Sequence, residues 1–594
     1  MTRTPLRPLA RILHARETGG NPDLIERENI RRRHEVMRDE WRVMAEQRLL
    51  LAAFCCLLVF GFVGARMWAI ASTPVAEPVA AVSDARIDAT RADIVDRNGR
   101  VLATNLVTHS LYAQPHLMTD PEGSAEALAT LFPDMDSARL RGWFTGDRKF
   151  IWLKRRISPE QMQAVHDIGD PGLQFGPREM RLYPNGALAA HILGGTGFGR
   201  EGVQSAELLG VAGVEKAMNA RLSDPATAGT PLALSIDLTI QAVIEDVLGS
   251  GMRLMNAKGA AAVLMHAHTG EIRAMASLPD FDPNTRPQPL VEGEAGDSPL
   301  FNRAVQGVYE LGSSFKIFTA AQALELGLAN PNTMIDTTSP MRWGRHKIGD
   351  FRNYGPELSL TDVIVKSSNV GTARLALEIG GKRQREFLDA LGFLAPTPVE
   401  MIEAPGARPL WPESWADIHT MTISYGHGIS TSPLHLAAGY ASLLNGGTKV
   451  TPTLLRQGAP VVGPRLVSEA TSAAARDMLH QVVERGTASF GRIPGYAIGG
   501  KTGTADKPRA AGGGYYEDKV IATFASVFPA DDPEYILIVT LDEPVETSGT
   551  EPRRTAGWTA VPVSAEITRR IVPLLGLRPS VEYLGDPEIT LARN

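Results

Sequence analysis

The chain is almost without cysteine, since its 594 residues include only Cys55 and Cys56. Both lie inside the one long uncharged run of the sequence, where adjacent cysteines are most simply small apolar residues. The rest of the chain therefore offers no disulfide, no cysteine-ligated zinc and no cysteine nucleophile.

Lysine and net charge are both low. The chain has 12 lysines, a formal net charge of −6 and an isoelectric point near 6.2. This balance argues against a nucleic-acid partner, whose binding needs a concentrated basic surface. The sequence shows no internal repeat, so repeat architectures are excluded as well. Its length leaves room for several domains and a large core.

One segment has the length and composition of a membrane span. Residues 49–65 carry no charge, and at ~1.5 Å per residue they reach roughly 26 Å, slightly less than a ~30 Å hydrocarbon core. Arg66 can extend its charge outward, and Trp68 would lie at the interface. We predict a transmembrane helix over residues 49–71. A cleaved signal peptide is the alternative, but its apolar core is usually ~7–15 residues long, and here 48 residues precede the run.

The tail before this segment, residues 1–48, is basic, with 11 arginines against 8 acidic residues. Cytoplasmic flanks of membrane helices carry such an excess, so we predict a cytoplasmic tail and an exported remainder. A linker rich in Pro, Ala and Ser follows at 72–84. It begins a first exported domain, predicted over residues 72–233, in which a turn at 96–100 between apolar residues indicates a hairpin. The arginines of this domain and its His191 are interpreted as structural.

A second exported domain is predicted over residues 234–577, followed by a C-terminal tail at 578–594. Four runs have the composition of strands: residues 260–266, 271–277, 520–528 and 535–541. Helices are predicted over residues 236–255, with Asp237 as the cap, and over 561–575, and residues 300–490 are mostly helical in pattern. Strands at both ends with helices between them indicate one antiparallel sheet flanked by helices, an α+β fold.

Three short motifs follow one another in this domain: Ser313-Ser314-Phe315-Lys316, Ser367-Ser368-Asn369 and Lys501-Thr502-Gly503. They form the S-x-x-K, S-x-N and K-T-G signature of enzymes that acylate a serine with penicillin-like substrates. A chain so poor in lysine should contain about one S-x-x-K and on the order of a tenth of a K-T-G by chance. Each pattern occurs once, in the required order, so the conjunction favours this chemistry.

The first motif supplies a nucleophile and a base. Ser313 opens a predicted helix that ends at Gly327, and Lys316 lies one turn later on the same face. A serine hydroxyl needs a base to remove its proton, and a lysine can serve only if burial or a second cation lowers its pKa. The helix N-terminus also favours negative charge that develops at Ser313. Taken alone, Ser313 would be an N-cap.

The second motif is predicted to lie in a tight connection between two short helices. There Ser367 could relay a proton to the leaving amine, while Asn369 could hold Lys316 and a substrate carbonyl. Taken alone, the triplet would be an ordinary turn or cap.

The third motif follows a strand-like run at 496–498. Alternation along a strand puts Thr502 and Thr504 on one face, which suits the binding of a carboxylate. Gly503 is predicted to let a substrate backbone approach closely, and Lys501 adds positive charge beside the carboxylate.

The three motifs are also predicted to act on each other. Lys501 would help to lower the pKa of Lys316. The backbone N–H of Thr504 is a candidate partner for that of Ser313 in an oxyanion hole. Loops rich in Gly, Pro and charge are predicted near the mouth of the site, at residues 507–519 and 544–557.

Beyond these motifs the sequence resembles the class B penicillin-binding proteins, and most closely the FtsI-type transpeptidases of bacterial division. The resemblance covers about residues 45–575 and includes these segments: RADIVDRNGRVLATN, RLYPNGALAAHILG, AGVEK, TGEIRAMASLPDFDPN, YELGSSFKIFT, VKSSNVGT, SYGHGISTSPLHLAAGYASLLNGG and GGKTGTADKP. It departs at His266, where similar proteins often have aspartate, and at His435, where glutamine is usual. Both, like His427, are interpreted as structural residues.

The resemblance implies a penicilloyl-serine transferase fold on an N-terminal pedestal, anchored in the inner membrane with the catalytic domain in the periplasm. It implies that Ser313 attacks the D-Ala-D-Ala bond of a peptidoglycan stem peptide and that D-Ala leaves. An amine of a neighbouring stem then forms a 4→3 cross-link, whereas β-lactams leave a slowly hydrolysed acyl-enzyme. The implied partners are a SEDS glycosyltransferase of the FtsW type and other divisome membrane proteins, with no cofactor and no metal.

Other functions share parts of this pattern. A β-lactamase needs a positioned water and base for rapid deacylation, and the anchor and the large first domain argue against it. A membrane β-lactam receptor usually carries its sensor after several spans, whereas this chain shows one. Intact motifs disfavour an idle scaffold. Among transpeptidases the elongation-type relative is the nearest alternative, and the pedestal, basic tail and single anchor favour division.

Overall fold

The computed structural model describes residues 7–72, 91–201, 206–227, 229–459, 461–509 and 513–583. The chain divides into two compact units, residues 1–81 and 82–594. Nearly all of the predicted linker and most of the predicted C-terminal tail lie outside the described residues. The predicted boundary between residues 233 and 234 stays a prediction.

The first unit is helical. Helix α1 (Arg7–Glu17) is followed by a turn and by the 51-residue helix α2 (Pro22–Ser72). Within α2, the segment Gln47–Trp68 is long and apolar enough to cross a membrane, by length and composition. Its large apolar side chains are exposed, as expected of a helix whose solvent is lipid. The predicted span at 49–71 overlaps this segment.

The second unit begins with a five-stranded sheet and its covering helices. The elements in chain order are β1 (Ile94–Val95), β2 (Val101–Ala113), α3 (Pro121–Leu131), α4 (Ser137–Phe144), β3 (Ile151–Ile157), α5 (Pro159–His166), β4 (Leu173–Leu182), α6 (Ala190–Leu193), β5 (Gly195–Glu201), β6 (Ala206–Ala212), α7 (Gly213–Ala217), α8 (Asn219–Leu222) and β7 (Leu232–Ala233). Strands β1 and β2 form the hairpin that the sequence predicts, and β2 also pairs antiparallel with β3 and β4. Strand β1 pairs parallel with β7, so the two ends of this region meet in one sheet.

A buried ion network ties these elements together. The carboxylate of Glu215, which is fully buried, accepts hydrogen bonds from Arg91 and Arg181, each at 2.7 Å from Nε. The hydroxyl of Tyr183 donates to the same carboxylate at 3.3 Å. His191 is also buried, with a ring nitrogen 3.3 Å from the carbonyl oxygen of Pro279. These contacts agree with the structural role predicted for the arginines and His191.

The remaining elements in chain order are α9 (Leu238–Leu254), β8 (Gly259–His266), β9 (Ile272–Leu278), α10 (Lys316–Glu325), β10 (Met334–Asp336), β11 (Met341–Trp343), β12 (His346–Ile348), β13 (Glu357–Ser359), α11 (Leu360–Lys366), α12 (Asn369–Ile379), α13 (Gly381–Leu391), α14 (Asp417–Ser424), α15 (Pro433–Leu444), α16 (Glu469–Arg485), β14 (Gly499–Pro508), β15 (Tyr515–Phe528), β16 (Tyr535–Asp542) and α17 (Ala560–Ile571). Five of the strands form one sheet in the order β14-β15-β16-β8-β9, antiparallel throughout. Helices α9 and α17 pack on each other and on this sheet, as do α15 and α16. The predicted α+β arrangement is confirmed, and Asp237 caps α9 as expected.

One prediction about local structure is incomplete and another is wrong. Residues 300–490 also contain two small antiparallel sheets, β10 with β13 and β11 with β12, and strands of three residues are too short for any periodicity to reveal. The predicted loop at 507–519 belongs, in its described part, largely to the hairpin of β14 and β15. Pairing with a neighbouring strand outweighs a local composition that disfavours strands.

Candidate active site

A cavity of about 670 Å³ brings the three motifs together. Its walls include one or more residues of each motif: Ser313, Ser367, Asn369, Thr502 and Thr504. Lys316 and Lys501 have no exposed surface, and both reach Ser367 by hydrogen bonds. Seven of the eight predicted site residues are therefore at the cavity or directly behind it.

The nucleophile candidate lies in a short 3-10 turn, Gly312–Phe315, that runs directly into α10. Ser313 is half-buried and lines the cavity. Within the described part of the chain, its hydroxyl makes no hydrogen bond to Lys316. Gly312 has a positive φ of 57°, and a Cβ there would lie 2.8 Å from the carbonyl oxygen of Thr504. Only glycine suits this position.

Gly503 has a different neighbour from the one predicted. A Cβ at this position would lie 2.1 Å from the carbonyl oxygen of Leu311. The glycine thus lets β14 pack against the turn that carries Ser313, and its predicted role in letting a substrate backbone approach stays a prediction. The two backbone segments predicted to form an oxyanion hole are in contact, but the hole itself stays a prediction.

Two buried lysines share one hydroxyl oxygen. Lys316 Nζ donates to Ser367 Oγ at 3.1 Å and also to the Ser367 carbonyl oxygen. Lys501 Nζ donates to the same Oγ at 3.0 Å and to the carbonyl oxygen of Thr502 at 3.1 Å. The two lysine nitrogens are therefore no more than about 6 Å apart.

This arrangement changes how the lysines titrate. Burial lowers the pKa of Lys316 well below its ordinary value, the positive charge of Lys501 lowers it further, and the carboxylate of Asp350 partly offsets both. Burial lowers the pKa of Lys501 to about 7. A neutral lysine is thus available near neutral pH, which is the condition for a lysine to act as a base.

The connection between α11 and α12 has an unusual backbone. Ser367 has a φ of 63°, in the left-handed region that non-glycine residues seldom adopt. This turn points its hydroxyl at both lysines. Among the described residues no hydrogen bond joins Asn369 to Lys316, and the side-chain amide of Asn369 donates to the carbonyl oxygen of Gly349 at 3.0 Å. In this structure the lysine is held by Ser367 instead.

The sequence reasoning missed Asp350. Its carboxylate accepts hydrogen bonds from Ser368 Oγ at 2.7 Å, Asn369 N at 2.5 Å and Val370 N at 3.1 Å. It thereby caps the N-terminus of α12 and fixes the second motif in place. Asp350 stands alone in its loop, well before the motif that it holds, so no spacing could reveal it.

The strand side of the cavity is held by two further segments. Thr502 Oγ1 lies 2.7 Å from Thr487 Oγ1, and Thr504 Oγ1 accepts a hydrogen bond from the backbone N–H of Ala556 at 3.0 Å. Both motif threonines line the cavity, as the predicted alternation along the strand requires. Their hydroxyls are thus oriented before any ligand binds. Thr487 was not predicted, because a lone threonine just after the end of a helix has no signature.

Two family models match the chain. The penicillin-binding protein transpeptidase domain matches residues 260–567, and the penicillin-binding protein dimerisation domain matches residues 86–225. The chain belongs to the family of penicillin-binding protein transpeptidases, and with its dimerisation domain it is a class B member. The resemblance drawn from the sequence is confirmed.

Particular relatives narrow the class to FtsI-type proteins. The chain is 36% identical over 509 residues to the "Probable peptidoglycan D,D-transpeptidase FtsI" of Caulobacter vibrioides, covering 84% of this chain and 83% of that one. It is 30% identical over 570 residues to the peptidoglycan D,D-transpeptidase FtsI of Escherichia coli K12, covering 91% and 94%. The crystal structure of penicillin-binding protein 3 from Mycobacterium tuberculosis, complexed with aztreonam, is similar with a TM-score of 0.61 and 25% identity. That match covers 84% of this chain and 98% of the other, and it confirms the predicted penicilloyl-serine transferase fold.

Proposed function

We propose that this protein is a serine D,D-transpeptidase that cross-links peptidoglycan stem peptides during septal synthesis and is acylated by β-lactams. The observation that carries the proposal is the pair of buried lysines on Ser367 Oγ, behind the cavity that Ser313 lines. A base with a lowered pKa beside a serine is what acyl transfer through a serine ester needs.

In the first step Ser313 Oγ attacks the carbonyl carbon of the penultimate D-Ala of a donor stem. Neutral Lys316 takes the hydroxyl proton, and the carbon–nitrogen bond to the terminal D-Ala breaks. Ser367 Oγ passes a proton to the leaving amine and is supplied in turn by the lysines bonded to it. Thr502 and Thr504 bind the terminal carboxylate.

In the second step a primary amine of a neighbouring stem attacks the acyl carbon. The bond from that carbon to Ser313 Oγ breaks, a new amide forms, and the proton lost by the amine returns to the serine oxygen. A β-lactam acylates Ser313 in the same way, but its amine stays attached to the acyl group. The resulting acyl-enzyme is hydrolysed slowly.

The cellular setting is part of the proposal. Residues 1–48 lie in the cytoplasm, the apolar part of α2 crosses the inner membrane, and the pedestal (72–233) and transpeptidase domain (234–577) lie in the periplasm. The basic tail supports this orientation. The relatives named FtsI support a role in division, with an FtsW-type SEDS glycosyltransferase and other divisome proteins as partners.

Fluorescent-penicillin labelling of membranes tests the enzymatic proposal. The wild type should be labelled, Ser313→Ala should not, and the label should persist for hours during a chase with unlabelled drug. Ser314→Ala is the matched control, because its hydroxyl bonds to the carbonyl oxygen of Leu311 and takes no part in the reaction. Loss of the label within seconds would instead indicate a β-lactamase, and labelled Ser313→Ala would place the nucleophile elsewhere.

A further inference from the structure

A second cavity, of about 550 Å³, adjoins the catalytic one. Phe490 and Trp558 line both cavities, and their ring centroids are 5.1 Å apart. The pair forms a shared wall that is open to solvent, since Phe490 is 53% exposed and Trp558 40%. A bound peptide that extends out of the catalytic cavity over this wall enters the second cavity directly.

The shared wall stands at the end of the catalytic cavity where Thr502 and Thr504 lie. The segment that holds Thr502 through Thr487 continues three residues later into Phe490. The segment that holds Thr504 through Ala556 continues two residues later into Trp558. The second cavity therefore lies beyond the two threonines, on the side assigned to the leaving D-Ala.

The second step of the proposed reaction needs space on this side. The acceptor amine must reach the acyl carbon from the position that the leaving amine vacated, because the two steps are the same transfer run in opposite directions. The donor chain still occupies the other end while its acyl group is bound to Ser313. The body of the acceptor peptide must therefore extend past Thr502 and Thr504 and over the shared wall.

The lining of the second cavity suits an acidic peptide. Arg553 stacks on the ring of Trp558 with its guanidinium carbon 3.9 Å from the ring centroid. It also forms a long ion pair, at 3.8 Å, with Glu546, which lines the same cavity. Within the described residues the Arg553 side chain donates no hydrogen bond. Its guanidinium is held against the ring of Trp558, and its N–H groups are available to a ligand. Stacked arginines of this kind bind carboxylates through two parallel hydrogen bonds. The rest of the lining combines apolar side chains at the end of α9 and on α17 with polar and charged ones: Leu254, Met255, Pro562, Ala565, Glu546, Thr547, Ser548 and Arg569.

We propose that the cavity beyond Phe490 and Trp558 binds the acceptor stem peptide, an acidic peptide with a free primary amine, and that Arg553 binds one of its carboxylates. This rests on the proposed transpeptidase function. It assigns the donor and the acceptor to opposite ends of one continuous groove.

The test uses the full-length protein in detergent, a thioester analogue of the donor, and a synthetic stem tetrapeptide with diaminopimelate as its third residue. The partition of the acyl-enzyme between aminolysis and hydrolysis is measured against tetrapeptide concentration, and the rate of acylation by penicillin is measured separately. Arg553→Gln should raise the half-saturating tetrapeptide concentration about tenfold or more, since a charge-assisted bond is lost. Arg570→Gln is the control, because that arginine pairs with Asp246 and Glu566 outside the cavity.

A second variant blocks the space instead of removing the charge. Thr547 is exposed and lines the second cavity, so Thr547→Trp should suppress aminolysis at least tenfold while penicillin acylation changes less than twofold. Thr550→Trp, in the same exposed loop but outside the lining, should change neither. Unchanged acceptor dependence in both cavity variants, or an equal loss of acylation and aminolysis, would overturn the inference. Absence of acylation in the wild type would instead count against the proposed function.

Discussion

The charge of Lys501 is expected to set the pH at which the enzyme becomes active, and Lys501→Met tests this. Methionine keeps the position buried and removes the positive charge, together with the hydrogen bonds to Ser367 Oγ and to the carbonyl oxygen of Thr502. Normalising each profile to its plateau separates the effect of the charge on the pKa from the loss of rate that these bonds cause. At the largest separation that the shared hydroxyl allows, about 6 Å, and with an effective dielectric constant of about 20, the repulsion is about 3 kcal/mol, equivalent to roughly 2 pH units. The distance follows from the two hydrogen bonds to Ser367 Oγ.

The sign of the effect follows from the role of Lys316. Only its neutral form accepts the serine proton, so acylation rises with pH through the pKa of Lys316. Without the neighbouring charge the protonated form is favoured and this pKa rises, because one of the causes that lower it is gone. The rising limb of the pH profile should therefore shift to higher pH by about 1–2 pH units. The lower end of this range allows for screening of the repulsion between the two charges.

The assay is the stopped-flow acylation rate with a chromogenic β-lactam between pH 5 and pH 10, normalised to the plateau of each variant. Normalisation separates the position of the limb from any loss of maximal rate. Lys382→Met, which removes an exposed lysine on α13 with 88% side-chain exposure, should leave the profile unchanged. A midpoint that stays within about 0.3 pH unit of the wild type, or moves down, would refute the electrostatic coupling.

Three further predictions concern single positions. Lys316→Ala should reduce the acylation rate by a factor of at least ~10². A near-normal rate would show that this lysine is not the base. Asp350→Asn should shift the rising limb to lower pH, opposite to Lys501→Met, because it removes the charge that offsets the lowered pKa of Lys316. It should also destabilise the cap of α12 by about 1 kcal/mol, seen as a lower thermal midpoint. Glu215→Gln should destabilise the pedestal by about 3–5 kcal/mol, because the guanidinium of Arg91 loses its buried partner; calorimetry showing an unchanged midpoint would contradict this.

The sequence predicted correctly those features that depend on residues close to one another along the chain. Lys316 follows Ser313 by one turn, and the alternation of Thr502 and Thr504 is a property of any strand. The apolar runs predicted four strands of the large sheet, and the strand-like run at 496–498 indicated the fifth, β14, which begins at Gly499. The position of the Ser367 turn between two helices was also foreseen.

The sequence did not reveal contacts between single residues that are far apart along the chain. Asp350 and Arg553 belong to no motif, and their partners become neighbours only in the folded chain. The contact of Gly503 with Leu311 was not foreseen either, because a motif glycine suggests the approach of a ligand before that of a distant loop. The hydrogen bonds from both lysines to Ser367 were missed as well, because they depend on a left-handed backbone at Ser367 that the residue type does not favour.

The order of strands in the large sheet has a consequence for synthesis. Strand β8 pairs with β16, and paired residues such as His266 and Tyr535 are about 270 positions apart. At 5–20 residues per second the ribosome needs on the order of half a minute to cover that distance, and during that time β8 has an unpaired edge that can pair with other chains. Long-range pairing of this kind makes folding slow. The nucleophile turn packs against β14, so it acquires this support only after the late strands of the sheet have been made.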